Sequence, residues 1–335
     1  MAAKKSPAQA KAGARAGAKK KPAAKKAVIS VVFSFRNEAS VLAELILRLE
    51  DVFADERLDY ELIFVNDDSI DESLAILKKS AAGNKRIKIV TMSRRFGVSE
   101  CVMAGMAYAS GDAVVYMDTD LQDPPEVIPE LIAKWKDGAD VVYTVRTKRE
   151  GEKPLKMFLT RMAYQAINAS SEIDLPENAG DFRLLSRQAC DKLLELGEMD
   201  PYTRGLIPWL GFRQEPVYYQ REARAGGEAH FSMFRNLNPY KTFISGLTSF
   251  SMAPIFLTIL LGGGVGGLSL VWLLLLGSGV VEGGAWVSFI LLLWGSLMFS
   301  LGFVGIYVGR TYKDVRGRPA YIIKDTIGLE SIDDA

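Results

Sequence analysis

The sequence predicts an α/β fold: a mainly parallel sheet with helices on both faces, followed by two membrane-spanning helices. Three observations predict it. Short apolar runs alternate with amphipathic helical stretches from residue 28 to about residue 145, the pattern of βαβ units. Acid-rich polar turns follow three of those runs, where an open α/β sheet carries its ligands, beyond the carboxyl ends of the strands. Two stretches of 25 residues, 252–276 and 285–309, contain no charge, and each is long enough to cross the hydrocarbon core of a bilayer.

The elements follow in order. Residues 1–27 hold nine Lys or Arg and no acid, so against a whole-chain charge of +1 the remainder carries −8. This segment has almost nothing to bury and reads as a disordered basic tail. A first strand is expected over 27–35 and a helix from Ser40 to about Phe53. Strands over 60–67, 86–93, 112–120 and 139–145 alternate with helices over 71–81, about 97–110, and Pro125 to about Lys136. Residues 151–235 are less regular, with a helix expected near 153–169; the expected catalytic domain is 28–235. Residues 236–251 read as an interfacial amphipathic segment, with Lys241 able to snorkel. The uncharged stretches form an expected transmembrane hairpin over 252–309. Arg310, Lys313, Arg316 and Arg318 follow it, so the positive-inside rule puts both chain ends in the cytoplasm, with 310–335 as a cytoplasmic C-terminal tail.

Composition excludes several chemistries. His230 is the only histidine and Cys101 and Cys190 the only cysteines, too few for a Cys/His zinc centre. Chemistry must rest on carboxylates, hydroxyls, basic residues or an oxygen-ligated metal. Its centre is the segment YMDTDLQDPPE (116–126). Asp118 and Asp120, at i and i+2, leave a strand end on one side, close enough to share a hard divalent cation, and Gln122 adds a neutral oxygen. A cation there suits a reaction whose leaving group is a diphosphate.

Segments spaced along the chain carry a resemblance. VVFSFRNEASV, FVNDDSIDES, SRRFGVSECVMAGMAYASGD, MDTDLQDPPE, AGDFRLLSR and GIYVGRTYKDVRGRPAYII occur in the order found in family 2 glycosyltransferases, and the chain resembles the branch of dolichol-phosphate mannose synthases and bactoprenol glucosyltransferases. The resemblance implies a GT-A fold and an inverting transfer of a sugar from a nucleotide sugar, UDP-linked by expectation, to a polyprenyl phosphate. It implies that Asn37, Glu38 and Asp67 border the nucleotide and that Asp118, Asp120 and Gln122 hold Mg²⁺ or Mn²⁺ with the diphosphate. Asp181, with Arg183 beside it, is implied at the reaction centre next to Asp120, and Arg204, Arg221 and Arg224 near phosphate groups, which a guanidinium fork suits. The implied partners are the nucleotide sugar, the polyprenyl phosphate lipid, the inner cell membrane with the catalytic domain on its cytoplasmic side, and further copies of the chain up to a tetramer. No nucleic acid is expected.

The sequence also departs from the family pattern. Ser34 replaces a Pro, Asp68 a Gly, Arg95 an Asn, Val98 a Lys and Ile306 a Glu; His230 stands where a Lys is usual. A histidine offers the lipid phosphate a charge only when protonated. Asp68 and Arg95 border the donor side and are the residues expected to tune sugar choice. A different membrane lipid, such as diacylglycerol or ceramide, is the alternative acceptor, because it would share every donor-side residue.

Overall fold

In a computed structural model, residues 27–56, 58–147, 179–221, 248–280 and 286–329 are described. The apolar run Val28–Phe35 forms β1, buried along most of its length because it lies in mid-sheet with helices on both sides. Helix α1 (Leu42–Glu56) repeats Leu42, Leu45, Leu49 and Phe53 at helical spacing and lays that stripe on the sheet. The alternation continues through β2 (Asp59–Asn66), α2 (Ser73–Gly83), β3 (Ile87–Met92), α3 (Val98–Tyr108) and β4 (Ala113–Asp118). A 3₁₀ turn, Pro125–Val127, leads into α4 (Ile128–Lys136), and β5 (Val141–Arg146) follows.

The second half adds β6 (Ala179–Ser186), α5 (Arg187–Glu195), α6 (Thr203–Trp209) and β7 (Gln214–Tyr219). Ser186 makes the switch from strand to helix abrupt, since its side chain accepts from the Ala189 amide and caps α5. Helices α7 (Ala253–Gly277) and α8 (Trp286–Val315) come next, and β8 (Ile323–Ile327) ends the order.

The eight strands form one sheet, β7-β5-β6-β4-β1-β2-β3-β8. Four neighbouring pairs are parallel; β6 runs antiparallel to both β4 and β5, and β8 antiparallel to β3. Leu77 of α2 and the buried faces of α1 and α4 share one core, on one face of the sheet; α3, α5 and α6 supply the core on the other. Residues 323–327, placed by the sequence in a C-terminal tail, are thus a strand of the catalytic sheet, because their apolar positions Ile323 and Ile327 find partners on β3. The helix expected near 153–169, most of 236–251, the tail before residue 27, Arg224 and His230 lie outside the described residues.

Helices α7 and α8 are long and apolar enough to cross a membrane over Ala253–Gly277 and Leu292–Val315, and neither window is buried inside protein. That exposure separates them from core helices of the same composition. They pack on each other, with Trp272 stacked on Phe289 at 5.5 Å between ring centroids.

Candidate active site

Parallel register brings the acidic turns together. Phe35 pairs with Asn66 and Ser34 with Asp118, so Asn37–Glu38, Asp67–Asp68 and Thr119–Asp120 leave adjacent strands at one level. Strand order reverses here, with β2 and β3 on one side of β1 and β4 on the other, and ligands of open α/β sheets sit at such switch points.

On the β1–β2 side the turns clamp one another. Asn37, at φ +57°, accepts the Ile70 amide on Oδ1 at 2.9 Å, and its own amide donates to Ser69 Oγ at 3.2 Å. The buried Glu38 donates its amide to Ser73 Oγ at 2.9 Å. Buried Asp67 accepts the Phe96 amide at 2.7 Å and the Gly97 amide at 3.4 Å, which ties it to the loop carrying Arg95. Asp68 and Arg95 are both exposed. Asp68 holds φ +59°, in the left-handed region that favours glycine.

On the β4 side the antiparallel partner completes the site. Tyr116 pairs with Arg183, so two residues further on Asp118 stands across from Asp181, on the same face. Arg204, at the start of α6, grips Asp181 with a two-pronged fork: Nε reaches Oδ1 at 2.7 Å and Nη2 reaches Oδ2. Arg183 is buried and donates Nε to the Gly180 carbonyl at 3.1 Å. It flanks Asp181 and does not form that fork.

The two facing carboxyls are driven apart in acidity. Burial and the charges of Asp181, Asp123 and Asp120 push Asp118 up to about 7, against the pull of Arg204. Burial would raise Asp181 too, but Arg204 and then Arg183 and Arg146 outweigh it and hold that carboxyl at about 2. Asp120 accepts the Gln122 amide on Oδ1 at 3.1 Å, which shapes the turn, and Leu121 beside it holds φ +56°. Among the described residues no group of three His, Cys, Asp or Glu side chains converges into a ready-made metal centre. The residues nonetheless fit a hard cation that borrows oxygens from its substrate: a crowded, half-buried carboxylate short of positive charge, with a second beside it, is the donor set Mg²⁺ uses together with phosphates.

Three participants escaped the sequence reading. Asp123 is fully buried below the loop and accepts from the Tyr219 hydroxyl. Arg146 Nη2 lies 3.6 Å from its Oδ2, and Arg221 Nε 3.3 Å from its Oδ1. Burial, and then Asp123 itself, push the Tyr219 phenol up, so it keeps the proton it donates. Arg221, expected near a substrate phosphate, pairs with Asp123 in this structure. Arg146 and Tyr219 are paired end residues of β5 and β7, a register that no local feature of the sequence marks. Asp123→Asn is expected to destabilise the fold by on the order of 3 kcal/mol, because two guanidiniums lose their buried counter-charge. Tyr219→Phe should cost about 1.5–3 kcal/mol, one hydrogen bond to a charged acceptor. Thermal melts of the two variants check the order.

The sheet, its switch point and its acidic turns define an α/β protein with a candidate ligand site at the carboxyl ends of its parallel strands. Residues 30–194 match the family described as Glycosyl transferase family 2. The chain belongs to that family. It is 40% identical to the "Uncharacterized glycosyltransferase YkcC" of Bacillus subtilis, covering 90% of this chain and 95% of the relative. It is 33% identical to a "Bactoprenol glucosyl transferase" of Shigella phage SfII, covering 88% and 97%. Among solved structures, glucosyl-3-phosphoglycerate synthase from Mycobacterium tuberculosis superposes with a TM-score of 0.45 at 21% identity, over 67% of this chain and 79% of that one.

Proposed function

We propose that this glycosyltransferase moves a sugar from a uridine-diphosphate donor to a polyprenyl phosphate, with inversion, at the cytoplasmic face of the cell membrane. The observation that carries the reading is the juxtaposition of Asp118 and Asp120 with the Asp181–Arg204 pair at the carboxyl ends of the parallel strands. Two further findings support it. Relatives covering nearly the whole chain are named bactoprenol glucosyl transferases. An apolar groove of about 470 Å³, lined by Ile255, Val304, Val308 and Tyr312, runs along the base of the hairpin and suits an isoprenoid neighbour.

In this mechanism an acceptor phosphate oxygen forms the new bond to the anomeric carbon while the bond to the diphosphate oxygen breaks. The electron pair leaves with the nucleoside diphosphate. Mg²⁺ or Mn²⁺ held by Asp118, Asp120 and Gln122 would supply charge neutralisation on that leaving group. The attacking oxygen is already anionic, so no proton has to be removed. Asp181, held at about 2, is a poor proton acceptor at neutral pH and serves to orient Arg204 toward phosphate. Asn37, Glu38 and Asp67 shape the nucleotide side, and Asp68 and Arg95 sit at its exposed rim. Arg310, Lys313, Arg316 and Arg318 at the end of α8 support a cytoplasmic placement.

The test is incubation of purified protein with a panel of nucleotide sugars, Mn²⁺, and either polyprenyl phosphate or diacylglycerol, with lipid products read by mass spectrometry. A hexosyl polyprenyl phosphate that disappears on chelation is the expected product. A glycosylated diacylglycerol with nothing on polyprenyl phosphate would transfer the assignment to the other lipid, and product formation indifferent to chelation would remove the cation from the mechanism.

A further inference from the structure

We infer that the base of the apolar hairpin positions Arg204, with Phe250 as the positioning residue that transmits its placement to the active site. This rests on the reading of Arg204 as a phosphate-side group.

The argument begins at Gly205. A Cβ built there would lie 2.2 Å from Phe250 Cε2, with two more ring carbons at 2.8 and 2.9 Å. The ring therefore lies directly on the α6 backbone, and no side chain fits between. The preceding Tyr202 ring is 6.2 Å from the same phenyl ring. Phe250 thus braces the first turn of a seven-residue helix whose second residue is Arg204. The same helix is anchored by Leu206 and Ile207, buried in the core shared with α3 and α5, and Phe250 packs against that core as well. A short helix held by buried side chains and by a ring against its Gly205 backbone has little room to shift.

Phe250 is itself held by the hairpin. Residues 248–251 immediately precede α7 and are strapped to the far end of α8 on two sides. Arg310 Nη1 donates to Thr248 Oγ1 at 2.6 Å, and the Tyr307 hydroxyl donates to the Ser251 carbonyl at 2.5 Å. Lys313, one turn further, pairs with Asp200 on the loop that leads into α6. A tether needs only a covalent link; these contacts make a bracket. Its chain runs from α8 through 248–251 and the Phe250 ring to Gly205, then one residue along to Arg204, whose fork grips Asp181 opposite Asp118. The element that fixes the chain relative to a bilayer therefore also fixes the guanidinium that would meet a lipid-borne phosphate.

The experiment uses the full chain in phospholipid nanodiscs. Phe250→Ala is made in the native background and in Arg204→Ala, with Phe250→Leu as the conservative partner. In the native background Phe250→Ala is expected to lower kcat for sugar transfer by about 10–100-fold, since a displacement of about 1 Å costs on the order of 10²-fold. KM for the donor should stay within about twofold, because the Asp67 side is untouched, and Phe250→Leu should recover most of the rate. In Arg204→Ala the same change should cost less than about threefold, the non-additivity of two residues acting as one unit. Equal losses in both backgrounds, or full activity in Phe250→Ala, would overturn the inference. Hydrogen exchange is read in parallel: amides of α6 should exchange faster in Phe250→Ala while those of α3 and α5 do not. That arm decides the bracket even if the native chain glycosylates no lipid tested, an outcome that would fail the proposed function alone.

Discussion

Asp118→Asn is expected to eliminate sugar transfer while making the metal-free protein more stable. The two effects share one cause. Asp118 is half-buried, faces Asp181 across the β4–β6 pair, and has Asp120 and Asp123 nearby, so its charge is unwelcome until a cation or substrate arrives. Its native carboxyl, pushed up to about 7, lies well above the usual unfolded value of about 3.9. A group whose folded form binds its proton more tightly than the unfolded form adds nothing unfavourable below the lower value. It then destabilises progressively as pH rises through the window and levels off above the higher one. Stability of the metal-free protein should therefore fall between about pH 4 and pH 7, and asparagine should flatten that slope. At pH 7.5 the gain is on the order of 1–3 kcal/mol, less than the whole electrostatic difference because the amide is still desolvated. Transfer should fall on the order of 10³-fold, the scale for removing a group that stabilises developing charge. Thermal melts from pH 4 to 8 with chelator, beside a transfer assay with excess Mn²⁺, test both. A lower melting temperature for the variant at pH 7.5, with the native pH slope intact, would mean that the carboxylates do not crowd one another.

Crowded, half-buried carboxylates with shifted acidities mark a candidate functional site, and the strands that bring them together explain which parts of it were readable from sequence. The turns Asn37–Glu38, Asp67–Asp68 and Asp118–Asp120 were legible because each follows an apolar run, and strand length alone decides where the chain leaves the sheet. The DxD spacing carried its own geometry through the two-residue period of a strand. Strand direction has no such local mark. Nothing in AGDFRLLS says that β6 enters the sheet antiparallel, yet that direction sets Asp181 opposite Asp118 and gives Arg204, not Arg183, the fork. The Asp123–Tyr219 contact spans 96 residues and depends on β5 pairing with β7. Likewise β8 is separated from its partner β3 by both apolar helices, so its alternation reads as a tail until the pairing is seen. Asp67 was legible as an acid at a strand end; its hold on the Phe96 and Gly97 amides was not, because that loop comes from another strand.

Asp181→Asn is expected to lose transfer on the order of 10²–10³-fold, but with the opposite effect on stability. Its carboxyl is held at about 2 by Arg204, Arg183 and Arg146, below the unfolded value. A depressed value of this kind stabilises the fold at every pH above about 4, and the contribution is lost as pH falls through 2. The ionised form is thus worth on the order of 2–3 kcal/mol at neutral pH, and asparagine gives up the charge pairing with Arg204. The Asp181→Asn melt at pH 7 should fall, where the Asp118→Asn melt rises. Affinity for uridine diphosphate, measured by calorimetry, should hold or rise, because the negative charge of Asp181 beside Arg204 no longer opposes an incoming phosphate. Since the two carboxyls face each other, the variants are not independent: with Asp181 neutralised, Asp118 loses its largest neighbouring charge, and the gain from Asp118→Asn should shrink in that background. Loss of packing alone lowers both melting temperatures, and two isolated carboxylates give additive effects. Opposite signs together with non-additivity require a shared electrostatic site built across β4 and β6.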